Sequence, residues 1–562
     1  MQPYATPYES GDQNTTTTLA DCIAFYQRIA ADFPQFLRFE NIGEADDGLP
    51  MYAGVVSTNG VFDPETVRKQ GRLVFFNNNG IHPGEPEGID VCMAVVRDFC
   101  VDAQARARLG TTVYLFIPVY NVSGCRNRNK TSRVNQVGPE SFGFRGNACN
   151  LDLNRDFIKC DSLEAQAFTK LFVQWSPDVM VDTHTANGAD YAFAMTLIHT
   201  QPDKLGGALG NYLIDELVPV IYERMKKQDF TLIPYVQMLH QIPDHGIEHT
   251  LETGRYSTGF AALHHTIGFM TESHMLKPYA VCYQATMASI LTILDLASEQ
   301  RERIITLRAQ ARAEARTARE RAIHWAIDYQ HPTHLEFLGY EAQFTPSVLG
   351  NYQRLSYNRS RPWVRPIPFY GRCIADVRVV APKAYLLPRQ WRAVADRLRW
   401  NGVVLTALTA DRTFTGRTYH ITAAPLRPKA FEGRLLHDEV RIRSVAGTFT
   451  ARAGDYRIDL DQPACRYLAE ALEPESHDSY FRWGFFDSIL EKKETYSDYL
   501  FEDIAVKMLN DEPELRRQFD AWFNKNPHLR SNQKAVLDFI FENGQAYAEP
   551  VWNTYPIRLI DG

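Results

Sequence analysis

His82 and Glu85 stand three residues apart in His82-Pro83-Gly84-Glu85, directly after the apolar run RLVFFN of residues 72–77 and the turn-forming NNG that follows it. At that spacing an imidazole and a carboxylate reach one point from one turn of chain. Zinc accepts both ligand types, and a catalytic zinc keeps three protein ligands with a fourth position left for water. A third ligand is on offer in Asp182-Thr183-His184-Thr185, again at the end of an apolar run, DVMVD. One HxxE among 16 histidines is weak evidence, so the assignment depends on what accompanies it.

Residues 150–157 read NLDLNRDF. Asn154 and Arg155 suit a carboxylate, because a guanidinium fork pairs with it bidentately and an amide adds one more donor. Such a pair fits a substrate with a free C-terminus. Asp152 has the chemistry to accept a hydrogen bond from a zinc-bound imidazole and fix its tautomer. Glu272 ends the run Gly268-Phe269-Met270-Thr271-Glu272, where a carboxylate near a metal-bound water can take its proton and later pass it to a leaving amine. Arg126, Arg128 and Arg133 crowd residues 124–135, and any of them can stabilise an oxyanion beside the metal.

These residues need elements that carry them to one place. Residues 19–323 alternate short apolar runs with amphipathic stretches, the pattern of an α/β layer structure with a buried sheet. The strands expected at residues 72–77, 112–119, 178–182 and 267–270 all end where chemically capable residues begin. In open α/β sheets, ligands sit beyond the carboxyl ends of strands. Helices are expected at residues 87–99, 162–175 and 209–226, the last with a kink at Pro219, and a long one at 280–330. The arginines and glutamates of that long helix read as a solvated face of mixed charge pairs. From His331 onward the texture changes to short alternating strands, with strand, helix, strand over 382–405. The chain thus divides into a catalytic region, 1–330, and an accessory α+β region, 331–562.

HPGE, NLDLNRDF, DTH and FMTESHMLKPY occur here in the same order as in the zinc carboxypeptidase family, which the chain resembles over residues 18–296. The resemblance implies a three-layer α/β/α sandwich around a mixed eight-stranded sheet. It implies one zinc ion on His82, Glu85 and His184, with Glu272 as general base and Asp152 supporting His82. Asn154 and Arg155 would receive the terminal carboxylate of a peptide or peptide-like substrate, Arg133 would polarise the scissile carbonyl with Arg128 as its rival, and Tyr256 would be a mobile tyrosine. The expected activity is release of C-terminal residues. Alternatives are a zinc amidase or deacylase, a cell-wall peptide hydrolase, or an inactive peptide- or carbohydrate-binding module. The segments FIKCD and HMLKPY look most like bacterial extracytoplasmic members. That implies a periplasmic or secreted protein whose leader is missing here, against a soluble cytoplasmic one.

Composition excludes some classes. A hydrophobic share of 45% with 23% charged residues is that of a globular protein, and a net charge of -7 offers no basic field for nucleic acid. No run approaches the roughly 18–20 apolar residues of a membrane span, and Met1-Gln2-Pro3-Tyr4 lacks signal-peptide character. Nine scattered cysteines without a CxxC pair read mostly as buried thiols, and the sequence leaves the oligomeric state open. A second metal motif, His245-Gly246-Ile247-Glu248-His249, needs a helix to align its histidines, and Pro243 and Gly246 make it a loop. The aromatic cluster Tyr480, Phe481, Trp483, Phe485 and Phe486 reads as a patch packed on the catalytic region.

Overall fold

The computed structural model describes residues 4–561; Met1, Gln2 and Pro3, part of the start that lacks signal-peptide character, lie outside the described residues. Its centre is an eight-stranded mixed sheet. Across the sheet run Leu37–Glu44, Pro50–Val56, Val113–Ile117, Val74–Asn78, Val179–Ala186, Ile267–His274, Met195–His199 and Leu232–Pro234. The four strands from Val113–Ile117 to Ile267–His274 are mutually parallel, and antiparallel neighbours flank them. Every residue of those four is buried, as expected of strands covered on both faces.

Alternation along the strands builds two cores. Val74, Phe76, Val113, Leu115 and Met180 face one side, where they meet Phe168 and Phe172 of the helix Leu163–Trp175. Phe75, Tyr114, Phe116, Val179 and Val181 face the other, against the helices Leu19–Asp32, Glu87–Val101 and Tyr279–Glu299. Successive strand residues point to opposite faces, so apolar runs without polar breaks yield the three-layer α/β/α arrangement. Tyr279–Glu299 has the length and apolarity to cross a bilayer, yet most of it is buried in this second core.

The helix expected over 280–330 is in fact two helices and a strand. Tyr279–Glu299 ends at Gln300, Arg301–Thr317 follows, and Glu320–Ile327 is a strand paired with Cys373–Val380. In that strand Arg321, Ile323 and Trp325 are buried while Glu320, Ala322 and His324 are not, a period of two that the Arg- and Glu-rich stretch before it obscures. Nor is Arg301–Thr317 solvated throughout. Arg308 is buried, donating to Asp178 and to the carbonyls of Ser176 and His265, so it ties the helix to the sheet. The expected kink at Pro219 takes the form of a π turn, Leu213–Leu217, just ahead of the proline that can offer no N–H.

Beyond residue 330, a long hairpin, Thr333–Pro346 with Gln353–Tyr370, pairs with Ile247–Glu248. A six-stranded sheet follows, with Ala384–Leu387 and Thr554–Ile560 at its middle. The helix Arg392–Trp400 lies against Leu163–Trp175. Tyr467, Leu468, Trp483, Phe486 and Tyr555 belong to the same apolar cluster as Phe76, Phe168 and Phe172. The aromatic cluster is therefore interior. All nine cysteines are unpaired, and most are buried.

Candidate active site

Close backbone approach brings the segments of His82, Glu85 and His184 together. A Cβ on Gly88 would lie 1.8 Å from Thr183 Oγ1, so only glycine lets the start of Glu87–Val101 rest directly on the strand that carries His184. Gly80, at φ +66, turns the chain out of Val74–Asn78 toward His82. Glu85 N–H then donates to His82 C=O at 2.8 Å, closing the turn that presents both side chains.

His184 Nδ1 lies 3.2 Å from His82 Nδ1 and 3.1 Å from Glu85 Oε2, and His82 Nδ1 lies 3.3 Å from Glu85 Oε1. The three residues are 3–4% exposed. The outer nitrogens are spoken for: His82 Nε2–H donates to Asp152 Oδ1 at 2.9 Å and His184 Nε2–H to Asp182 Oδ2 at 3.0 Å. Carboxylates behind both rings leave the two Nδ1 lone pairs facing one another and Glu85, a donor set that fits zinc. Electrostatics point the same way. Burial alone would lower the His184 pKa, yet Asp182 and Glu85 raise it well above the ordinary range, so the point between the ligands attracts positive charge. Burial alone would raise Glu85, but Arg133 and His82 hold it well below the usual carboxylate range.

Glu272 is next to His184 in the parallel register of Ile267–His274 and Val179–Ala186. Burial, opposed by the charge on His184, pushes its carboxyl up to about 8. A cavity of about 750 Å³ joins His82, Glu85 and His184 to Glu272, Arg133, Asn154, Arg155 and Tyr256. Asn154 and Arg155 sit in a 3-10 turn whose N-cap is Asp152, so the carboxylate that anchors His82 and the two candidate clamp residues share one rigid turn. Asn154 Oδ1 accepts from Ser257 N–H, leaving its amide N–H groups for a ligand. Arg155 lies 4.5 Å over the Tyr256 ring.

Arg128, named as the rival carbonyl donor, is not in this cavity. Its guanidinium is spent on the carbonyls of Thr16, Thr17 and Ser141. Arg133 lines the cavity but is engaged, donating to Glu85 Oε1 at 2.6 Å, Thr185 C=O at 2.9 Å and Gln136 Oε1 at 2.6 Å. Its chain fills the space that Gly84 leaves open. Arg145, which sequence reasoning passed over, stands at the mouth with its side chain 44% exposed, bonded to Asp152 and within 3.4 Å of Glu85. Its position in FRGN, just ahead of NLDLNRDF, was the available signal. Asp182 was also missed as the support of His184, although an aspartate two residues earlier on a strand must share the histidine's face. Glu252, buried on the cavity wall and raised to about 7 by burial, had no sequence signal.

The region beyond residue 330 reaches this site. Glu432 Oε2 accepts from Asp152 N–H at 2.7 Å, and Asp478 accepts from both the backbone and the guanidinium of Arg255, the neighbour of Tyr256. The His245–His249 motif forms no helix: Pro243–His245 is a 3-10 turn and Ile247–Glu248 a short strand.

Residues 22–182 match the family model described as zinc carboxypeptidase, a span that holds His82, Glu85, Asp152, Asn154 and Arg155. Carboxypeptidase 2 of Trichophyton equinum is 22% identical over 431 residues, covering 74% of each chain. The protein of that name from Trichophyton rubrum is 22% identical over 437 residues with the same coverage. Among solved structures, bovine thrombin-activatable fibrinolysis inhibitor in complex with tick carboxypeptidase inhibitor is 13% identical at a TM-score of 0.39, over 52% of this chain and 99% of that one. A metallo-carboxypeptidase from Burkholderia cenocepacia is 15% identical at 0.36, over 49% and 69%. Residues 22–182 are thus similar to the zinc carboxypeptidase family, and the buried group of His82, Glu85 and His184 could hold a metal ion.

Proposed function

We propose that this enzyme removes C-terminal residues from peptides, using one zinc ion held by His82, Glu85 and His184. The observation that carries this reading is the single turn in which Asp152 anchors His82 while Asn154 and Arg155 face the same cavity as Glu272. A substrate's terminal carboxylate on Asn154 and Arg155 places its last peptide bond toward the metal ligands. Zinc bound there supplies Lewis acidity, activating a water and polarising the scissile carbonyl. Glu272 accepts the proton of the attacking water and delivers it to the departing amine. Arg145, with its side chain 44% exposed against 13% for Arg133, is the donor placed to meet the developing oxyanion. Arg133 holds Glu85 and the Thr185 carbonyl in place.

Peptides with free and amidated C-termini, incubated with the zinc-loaded enzyme and read by mass spectrometry, test this. Stepwise loss of the last residue is expected only from the free peptides. Equal cleavage of both would make the enzyme an endopeptidase or amidase.

A further inference from the structure

Glu252 is a carboxylate on the wall of the active-site cavity, 6% exposed, that neither the metal ligands nor the proton transfer uses. Two hydrogen bonds tie it to the residues proposed to receive the substrate's terminal carboxylate. Asn154 Oδ1 accepts from Ser257 N–H at 3.1 Å, and the next residue, Thr258, donates its hydroxyl to Glu252 Oε2 at 3.2 Å. The chain between Glu252 and Thr258 folds tightly on itself. A Cβ on Gly259 would lie 1.9 Å from Thr253 C=O, so this segment is a packed wall with Glu252 held in it.

The cations that face Glu252 are committed to other partners. Arg155 donates to Asn154 C=O at 2.9 Å and covers the Tyr256 ring, and His184 lies between Asp182 and Glu85. Lys204 Nζ is 3.2 Å from the backbone carbonyl of Glu252 and 3.6 Å from Glu470 Oε2. Burial therefore raises the Glu252 carboxyl to about 7, against the charge of Arg155, His184 and Lys204. Oε1 accepts from no donor among the described residues, and it is not sealed in but open to the cavity. A buried carboxylate with a single hydroxyl donor is costly until a cation or a further donor meets it.

We propose, resting on the reading that the enzyme removes C-terminal residues, that Glu252 selects substrates whose last residue is lysine or arginine. The Cα of that residue carries three groups. Its carboxylate goes to Asn154 and Arg155 and its amide toward the metal ligands, so its side chain takes the third direction, along the wall where Glu252 offers Oε1. Ile198, Leu251 and Met270 line the same cavity, and Met270, two residues before Glu272 on one strand, shares its face of the sheet. His249 is neutral there, because burial drives its pKa down to about 3. Apolar side chains around one carboxylate suit the long apolar stem and charged tip of lysine and arginine.

Hydrolysis of peptides that differ only in the last residue, arginine or its uncharged isostere citrulline, tests this in the zinc-loaded full chain, with Glu252→Gln as the variant. For the wild type, kcat/KM is expected to be about tenfold or more higher with arginine, the scale of a hydrogen bond to a charged group. In Glu252→Gln the ratio should fall to about one whatever the overall rate, since a role in packing alone would slow both peptides equally. Equal rates on the two peptides by the wild type would overturn the proposal even if the variant failed to fold, and so would an arginine preference that survives in a folded Glu252→Gln. Release of no residue from any free peptide would count against the carboxypeptidase reading itself. Titration calorimetry then decides for Glu252 separately: N-acetylarginine binding more tightly than N-acetylcitrulline supports the assignment, and equal binding overturns it.

Discussion

At the scale of single residues, two arginines and a glutamate separate holding the metal from doing the chemistry. Glu272 touches none of the proposed ligands by hydrogen bond, so Glu272→Gln should keep its zinc, measured by metal analysis, while turnover falls by about 10²–10⁴-fold. Retention of near-normal hydrolysis would remove it as the base. Arg145→Ala and Arg133→Ala should fail differently. The first is expected to cost about 10²–10³ in kcat with zinc retained. The second, which strips Glu85 of its 2.6 Å partner, should weaken zinc binding in a chelator competition. Were the two patterns reversed, Arg133 would be the oxyanion donor expected from the sequence.

Among the elements, the decisive contact is the seating of Glu87–Val101 on Val179–Ala186. Gly88→Ala puts a methyl into Thr183 and should cost about 1–3 kcal/mol, seen as a lowered Tm and a lower zinc affinity. An unchanged Tm would show that this helix can shift without loss. The four parallel strands and the helices Glu87–Val101 and Leu163–Trp175 were legible in the sequence because buried parallel strands are continuous apolar runs, each ending at a residue with chemistry, whereas the outer strands, such as the half-exposed Leu37–Glu44, carry no such run. The pair His82 and Glu85 was legible for the same reason, being local. What was not legible depended on contacts across long separations: which arginine faces the cavity is settled by Thr16, Thr17 and Ser141 capturing Arg128, and no local pattern announces that. The strand Glu320–Ile327 was hidden because its charged flanks continue the composition of the helix before it.

Across the whole molecule, the apolar cluster that packs Phe168 and Phe172 also contains Tyr467, Trp483 and Tyr555. If residues 1–330 are the catalytic part, they are not self-sufficient. A chain ended there should be insoluble or unfold without cooperativity; a soluble fragment with a sharp melting transition would contradict the shared core. Part of the join is ionic. Burial would raise Asp478, but Arg255 holds it down to about 2, below the usual aspartate value of about 3.9. Because the folded pKa is depressed, the pair stabilises above about pH 4 and its contribution is lost as pH falls toward 2. The stability gap between wild type and Asp478→Asn should therefore narrow from pH 7 to pH 2.5, and a constant gap would exclude this linkage. The bond from Asp152 to Glu432 spans 280 residues of chain. Translation proceeds at about 5–20 residues per second, so His82 and its aspartate wait some 15–60 s on the ribosome before the residue that braces them exists. The turn that anchors His82 is thus made long before the glutamate that braces it, and this part of the site is completed only when most of the chain exists.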